Sequence, residues 1–253
     1  MLSLVIWGIG TSLEVLLLVR AIQAKLLQRF PLFYTYLFFV FVNDILRFAT
    51  YRLYPDQYPW VYWITQFVGM VFGSAVIFEI YRVGLGRYPG AAKMTSYLLL
   101  IAFVGVLIKN LFNPATGVIG WVSAVLIDLE RSLRIVQGVA LAALIVLFLI
   151  YAIPFGRNLG GILFGYAFYI TVCITQYTMW YYGLGNLTAV WGYIQSVAYL
   201  LVLVSWAYML WSPDRAFEPE PTLQLENDYQ MLANSTRQQV QRALSHLKGT
   251  AST

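Results

Sequence analysis

Seven runs of apolar residues, each about twenty long, constrain this chain more than any other feature. They cover roughly 2–20, 31–53, 60–83, 95–113, 118–153, 160–183 and 188–211. A helix rises 1.5 Å per residue, so about 20 residues cross a hydrocarbon core about 30 Å thick. A transmembrane strand would alternate over about ten residues. These runs are continuous, and a lone span satisfies its own backbone in lipid only as a helix. Charged residues make up 11% of the 253 and hydrophobic ones 60%, against about 25% charged in soluble domains. The expected fold class is all-α, a polytopic membrane bundle of seven transmembrane helices.

The breaks between runs carry turn chemistry: "YPDQYP" (54–59), "GLGRYPG" (84–90), "FNPATG" (112–117), "PFGRNLGG" (154–161) and "GLGN" (183–186). Basic residues set the orientation. Arg20, Lys25 and Arg29 fall in the first loop, Arg82, Arg87 and Lys93 in the third, and Arg157 in the fifth. The tail adds Arg215, Arg237, Arg242 and Lys248, whereas the even loops are nearly bare. The positive-inside rule then expects the N-terminus outside and the odd loops and C-terminus in the cytoplasm. Trp60, Trp63, Trp121, Trp180 and Trp191 would form an outer aromatic belt. Tyr81, Tyr88, Tyr151, Trp206 and Trp211 would form an inner one. The expected location is the cell (inner) membrane, multi-pass.

After Trp211 the composition changes. Residues 1–211 form the membrane domain, 212–221 a polar, proline-bearing linker ("SPDRAFEPEP"), and 222–253 a cytoplasmic tail. Leu225, Tyr229, Leu232, Thr236, Val240, Leu244 and Leu247 step by three and four, which expects an amphipathic helix over 222–247. Such a helix lies on the membrane or bundle, or docks a membrane or cytoplasmic protein partner.

Polar side chains inside the spans are costly and usually face inward. With the orientation above, Asn43, Asp44 and Arg47 lie in the outer third of span two, Gln66 in span three and Lys109 at the end of span four. Asp128 to Gln137 lie in span five, Gln176 in span six and Gln195 in span seven. At 100° per residue Ser123, Glu130, Arg134 and Gln137 share a face roughly 60° wide. Glu130 and Arg134 are i,i+4 and Asp128 and Arg131 are i,i+3, so each can pair within the helix. In one reading these charges stay wet at headgroup depth. In a second, Glu130, Arg134 and Gln137 meet Asp44, Arg47, Gln66, Gln176 and Gln195 in a water-accessible cup. A relay through the membrane is a third, and the inner half offers few polar steps for it. Glu79 and Arg82, one turn apart, read as a helix-end pair, and Glu14 as a group that bonds a neighbouring helix or is protonated. Gly69 with Gly73, and Gly161 with Gly165, are small residues at i,i+4, the spacing at which helices pack closely. They read as bundle seams or as a homodimer seam.

Several chemistries find no residues to carry them. His246 is the single histidine and Cys173 the single cysteine, so neither a haem pair nor a zinc ligand set exists. No GxSxG, Walker or dinucleotide fingerprint appears. No cofactor is expected, and basic residues spread over loops make no nucleic-acid surface despite a net charge of +5. Seven helices with an outside N-terminus resemble microbial rhodopsins in topology, but the seventh run lacks the lysine that would hold retinal. At "FEIYRVGLGRYPG" (78–90) and "ERSLRIVQ" (130–137) the chain resembles uncharacterised bacterial seven-helix integral membrane proteins. That resemblance implies the topology and transfers no site.

The expected function is a sensor or receptor-like protein with an outward-facing polar cup for a small ligand or partner. Arg47, Lys109 and Arg134 would hold acidic groups, and Asp44 and Glu130 would orient the arginines. One alternative is a structural or accessory subunit of a larger membrane complex. A second is a transporter or intramembrane enzyme using Asp44 and Glu130 as acid and base.

Overall fold

The computed structural model describes residues 2–86, 88–112, 121–151, 156–182 and 185–211, with short helical pieces at 230–231, 234–235 and 237–238. Seven long helices carry the seven expected spans. They are α1 (Leu2–Gln23), α3 (Pro31–Leu53), α4 (Tyr58–Gly84), α5 (Pro89–Phe112), α6 (Trp121–Ile150), α7 (Arg157–Tyr181) and α8 (Gly185–Met209). A single turn, α2 (Leu26–Arg29), joins α1 to α3, and a 3₁₀ turn over Pro55–Gln57 joins α3 to α4. All seven long helices contain windows long and apolar enough to span a membrane, so the chain is a polytopic integral membrane protein. Proline sets two of these starts: Pro31 is the first residue of α3 and Pro89 the first of α5. Its fixed φ suits the first helical turn, where its missing N–H costs nothing.

The helices close into a ring in the order α1, α3, α4, α5, α6, α7, α8 and back to α1, and α4 also reaches across to α6 and α7. One end of the ring carries α2. There Arg20 Nε donates to the Trp211 carbonyl and Arg157 Nη2 to the Tyr208 carbonyl, both at 2.6 Å. The expected cytoplasmic loops therefore share the α2 end, and the Pro55–Gln57 turn marks the other.

Two seams fix the packing. Gly161 and Gly165 seat Trp206: its indole Nε1 donates to the Gly161 carbonyl at 3.1 Å. A Cβ on Gly165 would collide with that nitrogen, and one on Gly161 with Met209. Both glycines thus serve α7–α8 contact within the bundle. Gly73 of α4 lies under the Tyr166 hydroxyl of α7, with no room for a Cβ, while Gly69 lies against Phe39 of α3. The second seam is a carboxylate. Glu79 accepts hydrogen bonds from the backbone N–H groups of Leu32 (2.8 Å) and Phe33 (2.7 Å) at the start of α3. It thereby satisfies donors that a helix N-terminus leaves orphaned, instead of pairing with Arg82, which is exposed.

Three expected belt aromatics are core residues. Trp206, Tyr81 and Tyr88 are buried, and Tyr81 donates to the Ala140 carbonyl of α6 at 2.6 Å. Hydropathy places a residue at a depth but not on a face, and these three face inward. The amphipathic helix expected over 222–247 and the 212–221 linker fall outside the described residues, apart from the exposed helical pieces between 230 and 238.

Candidate functional site

The polar residues of six spans lie toward the Pro55–Gln57 end, and α6 organises them. This helix has 30 residues, about 45 Å at 1.5 Å each, so its N-terminal turns exceed what a bilayer core needs. Its charged stretch splits by face. Asp128 and Arg131 stay partly exposed, 4.0 Å apart, as the headgroup reading has it. Glu130, Arg134 and Gln137 are only 1%, 6% and 0% exposed, so their face turns into the bundle. The Glu130–Arg134 contact is 3.5 Å.

From there a chain of polar contacts links four helices, α6, α4, α7 and α3. Arg134 Nη1 donates to Gln137 Oε1 at 3.3 Å, and Gln137 Nε2 donates to Ser74 Oγ of α4 at 3.1 Å. Gln66 of α4 donates its Nε2 to Glu130 Oε1 at 2.5 Å and to the Tyr177 hydroxyl of α7 at 3.1 Å. Its Oε1 accepts from Arg47 Nη2 of α3 at 2.9 Å. Arg47 also donates from Nε to Thr65 Oγ1 (2.9 Å) and from Nη2 to the Tyr62 carbonyl (3.2 Å), and its guanidinium lies 4.5 Å from the Tyr62 ring centroid. Burying the ion pair alone would be unfavourable, because desolvation can exceed the Coulomb gain. The Gln66 amide supplies a compensating hydrogen bond to Glu130, and the Gln137 side-chain carbonyl oxygen accepts one from Arg134.

Arg47 and Arg134 line the same hollow, a cavity of about 220 Å³ with Asn43, Asp44, Gln66 and Gln195 around it. Tyr36, Tyr169 and Tyr199 form aromatic wall. Two buried atoms in this lining make no hydrogen bond of good geometry: Arg134 Nε and Asn43 Oδ1. An unsatisfied buried polar group costs about 1–3 kcal/mol. Both residues belong to the cavity wall, although these two atoms themselves are closed off from it. Asp44 accepts no hydrogen bond from the described residues and borders three hollows. Besides the polar cavity, it borders a vestibule of about 320 Å³ at the Pro55–Gln57 end, with Trp7, Arg47 and Tyr58. The third is an apolar groove between α1 and α8. Glu14 of α1, fully buried, accepts from the Tyr199 hydroxyl at 2.6 Å.

Of the expected ligand-binding residues, Asp44, Arg47, Gln66, Arg134 and Gln195 line the cavity. Glu130 and Gln137 stand behind Arg134. Gln176 is buried on α7 but does not line it, and its Oε1 lacks a partner. Lys109 is exposed on α5, a helix that packs on α4 and α6 and not on α3 or α8. It therefore stands off the cavity, and matching depth had said nothing about its position around the ring. Arg47 donates its hydrogen bonds to Thr65, Gln66 and Tyr62, and none to Asp44 among the described residues. Sequence reasoning missed Tyr36, Tyr169 and Tyr199, because a tyrosine in an apolar run reads equally as core or belt.

Among the described residues no group of three or more histidine, cysteine or carboxylate side chains is placed to hold a metal ion. The chain matches no protein-family model, no curated protein and no solved structure.

Proposed function

We propose that this polytopic membrane protein is a receptor-like sensor. Its polar cavity binds a small molecule carrying an acidic group and a hydrogen-bond donor. The carrying observation is the lining itself: two guanidinium side chains, Arg47 and Arg134, border one hollow together with Asn43 and Asp44. The acid of the ligand sits between the two guanidiniums, and its donor faces Asp44 and Asn43. Guanidiniums suit this task because their fork matches carboxylate and phosphate oxygens. Glu130, Gln66 and Thr65 hold the two arginines in place before the ligand arrives, which lowers the ordering cost of binding.

Binding without passage is supported by what lies beyond the polar chain. Past Gln137 and Ser74 the interior is closed by Val76, Ile77, Leu141, Leu144 and Leu163, all 0% exposed. A conducting path would need polar steps there. By the positive-inside argument the vestibule faces outward and the tail inward. The tail would hand the bound state to a separate effector.

The test is a thermal-shift panel on the protein in nanodiscs, using amino acids, hydroxy acids, phosphomonoesters and glycerophosphoethanolamine. At least one probe is expected to raise Tm, and Arg47→Glu to abolish that rise. If charge reversal at Arg47 and at Arg134 leaves every response unchanged in inserted, folded protein, the reading fails.

A further inference from the structure

The polar cavity has a neighbour across one wall. Asp44, Ser196 and Tyr199 line it on one side and line a second hollow on the other. This second hollow, about 370 Å³, lies between α1 and α8 with Ile6, Trp7, Tyr193 and Leu200 on its walls, and its lining is predominantly apolar. Glycine keeps it open. Gly10 and Gly192 both line it, and a Cβ built on Gly192 would meet nothing within 4 Å. The groove flanks are lipid-facing: Ile9 of α1 and Val197 and Leu201 of α8 are exposed. Two arginines and a half-buried aspartate thus line a hollow that shares a wall, Asp44, Ser196 and Tyr199, with an apolar cleft on the membrane-facing side of the bundle.

A water-soluble ligand has no use for such a cleft. An amphiphile does, because its head needs the donors and its chain needs an apolar surround from which water is excluded. We infer that the ligand is a single-chain amphiphile. Its acidic, donor-bearing head occupies the cavity of Arg47 and Arg134, and its alkyl chain leaves between α1 and α8. This rests on the polar-cavity reading and adds the chain and its route. Access is then lateral, from the outer leaflet, past Asp44. The apolar plug below Gln137 is no obstacle, because the chain never crosses it.

The test uses a lysophosphatidylethanolamine with a diazirine at mid-chain, in phosphatidylcholine nanodiscs, with adducts mapped by mass spectrometry. Glycerophosphoethanolamine, the same head without a chain, is the competitor and the thermal-shift probe. Adducts are expected to concentrate on Ile6, Tyr193 and Leu200 and to fall with excess competitor. Gly192→Leu is expected to cut those adducts about tenfold or more, since a few methylenes in an apolar pocket carry that factor. It should leave the thermal shift by the chainless head intact. Gly192→Ala, whose added carbon meets open space, is the folding control. Suppose the chainless head shifts Tm and Arg47→Glu abolishes the shift, but adducts spread evenly onto exposed Leu100 and Ile101 of α5 and ignore Gly192→Leu. The chain route is then overturned and the polar cavity stands. If the chainless head gives no shift and Arg47→Glu leaves the adducts unchanged, both readings fall.

Discussion

Removing the Arg134 guanidinium while Glu130 remains would leave a carboxylate that is 1% exposed with Gln66 as its hydrogen-bond partner. Breaking a buried pair from one side costs about 3–5 kcal/mol, because the surviving charge is uncompensated. Arg134→Gln is therefore expected to lower stability by that order in a detergent unfolding titration. Glu130→Gln in the same chain should restore part of the loss, giving a coupling of about 1 kcal/mol or more in the double-mutant cycle. Purely additive losses would show that the two side chains act independently. Glu14 offers a second case. Tyr199→Phe removes the hydrogen-bond donor that Glu14 has among the described residues and should cost about 1–3 kcal/mol, whereas Glu14→Gln/Tyr199→Phe should cost less than Tyr199→Phe alone. A larger loss in the double variant would contradict the assignment of Tyr199 as the partner that matters to Glu14.

Elements are joined here by backbone groups as much as by side-chain packing. Glu79 spans from α4 to the two N–H groups that open α3, and hydrogen bonds to a charged group are worth about 1.5–3 kcal/mol. Glu79→Ala is expected to destabilise by about that much and to speed amide hydrogen exchange at Leu32 and Phe33. Glu79→Gln, which keeps an acceptor, should do less of both. Unchanged exchange at those two amides would remove the proposed cap. The glycine seam behaves differently. Gly165→Ala drives a carbon onto the Trp206 indole, and overpacking of this kind costs about 1–3 kcal/mol. Trp206→Phe withdraws the ring atom concerned, so Gly165→Ala should cost less in that background. An equal penalty in both backgrounds would place the strain elsewhere.

At the scale of the whole molecule, the arrangement that matters is a ring with polar contents at one end and cations at the other. The expected orientation can be read directly with single cysteines in a Cys173→Ala background, Cys173 being buried. Asp56→Cys, in the Pro55–Gln57 turn, should react with an impermeant maleimide added to intact cells. Lys25→Cys, before α2, should react only after permeabilisation. The reverse pattern would turn the cavity toward the cytoplasm and remove the case for an outward-facing sensor. Lys25 is also the residue at φ 54° that breaks α1 from α2. A cysteine there sits in a conformation that favours glycine, so the neighbouring Gln28→Cys is the paired reporter.

The number, length and approximate ends of the spans follow from the sequence alone. Apolar run length against bilayer thickness is a one-dimensional property, and prolines and glycines mark the breaks. The pairing of Glu130 with Arg134 was equally legible, since i,i+4 spacing on one helix needs no tertiary information. Depth, too, could be read, and it brought Asp44, Arg47, Gln66, Arg134 and Gln195 to one level. Direction around the ring could not, because hydropathy in lipid carries little facial signal when both the core and the membrane are apolar. That is why Lys109 was grouped with a site from which α5 holds it away. It is also why Trp206 and Tyr81 read as belt residues while lying in the core. Only the packing of α3, α4, α6 and α8 decided that Arg134 turns inward to a cavity. Only the packing of α1, α3 and α8 set an apolar groove beside that cavity, with Asp44, Ser196 and Tyr199 common to both linings.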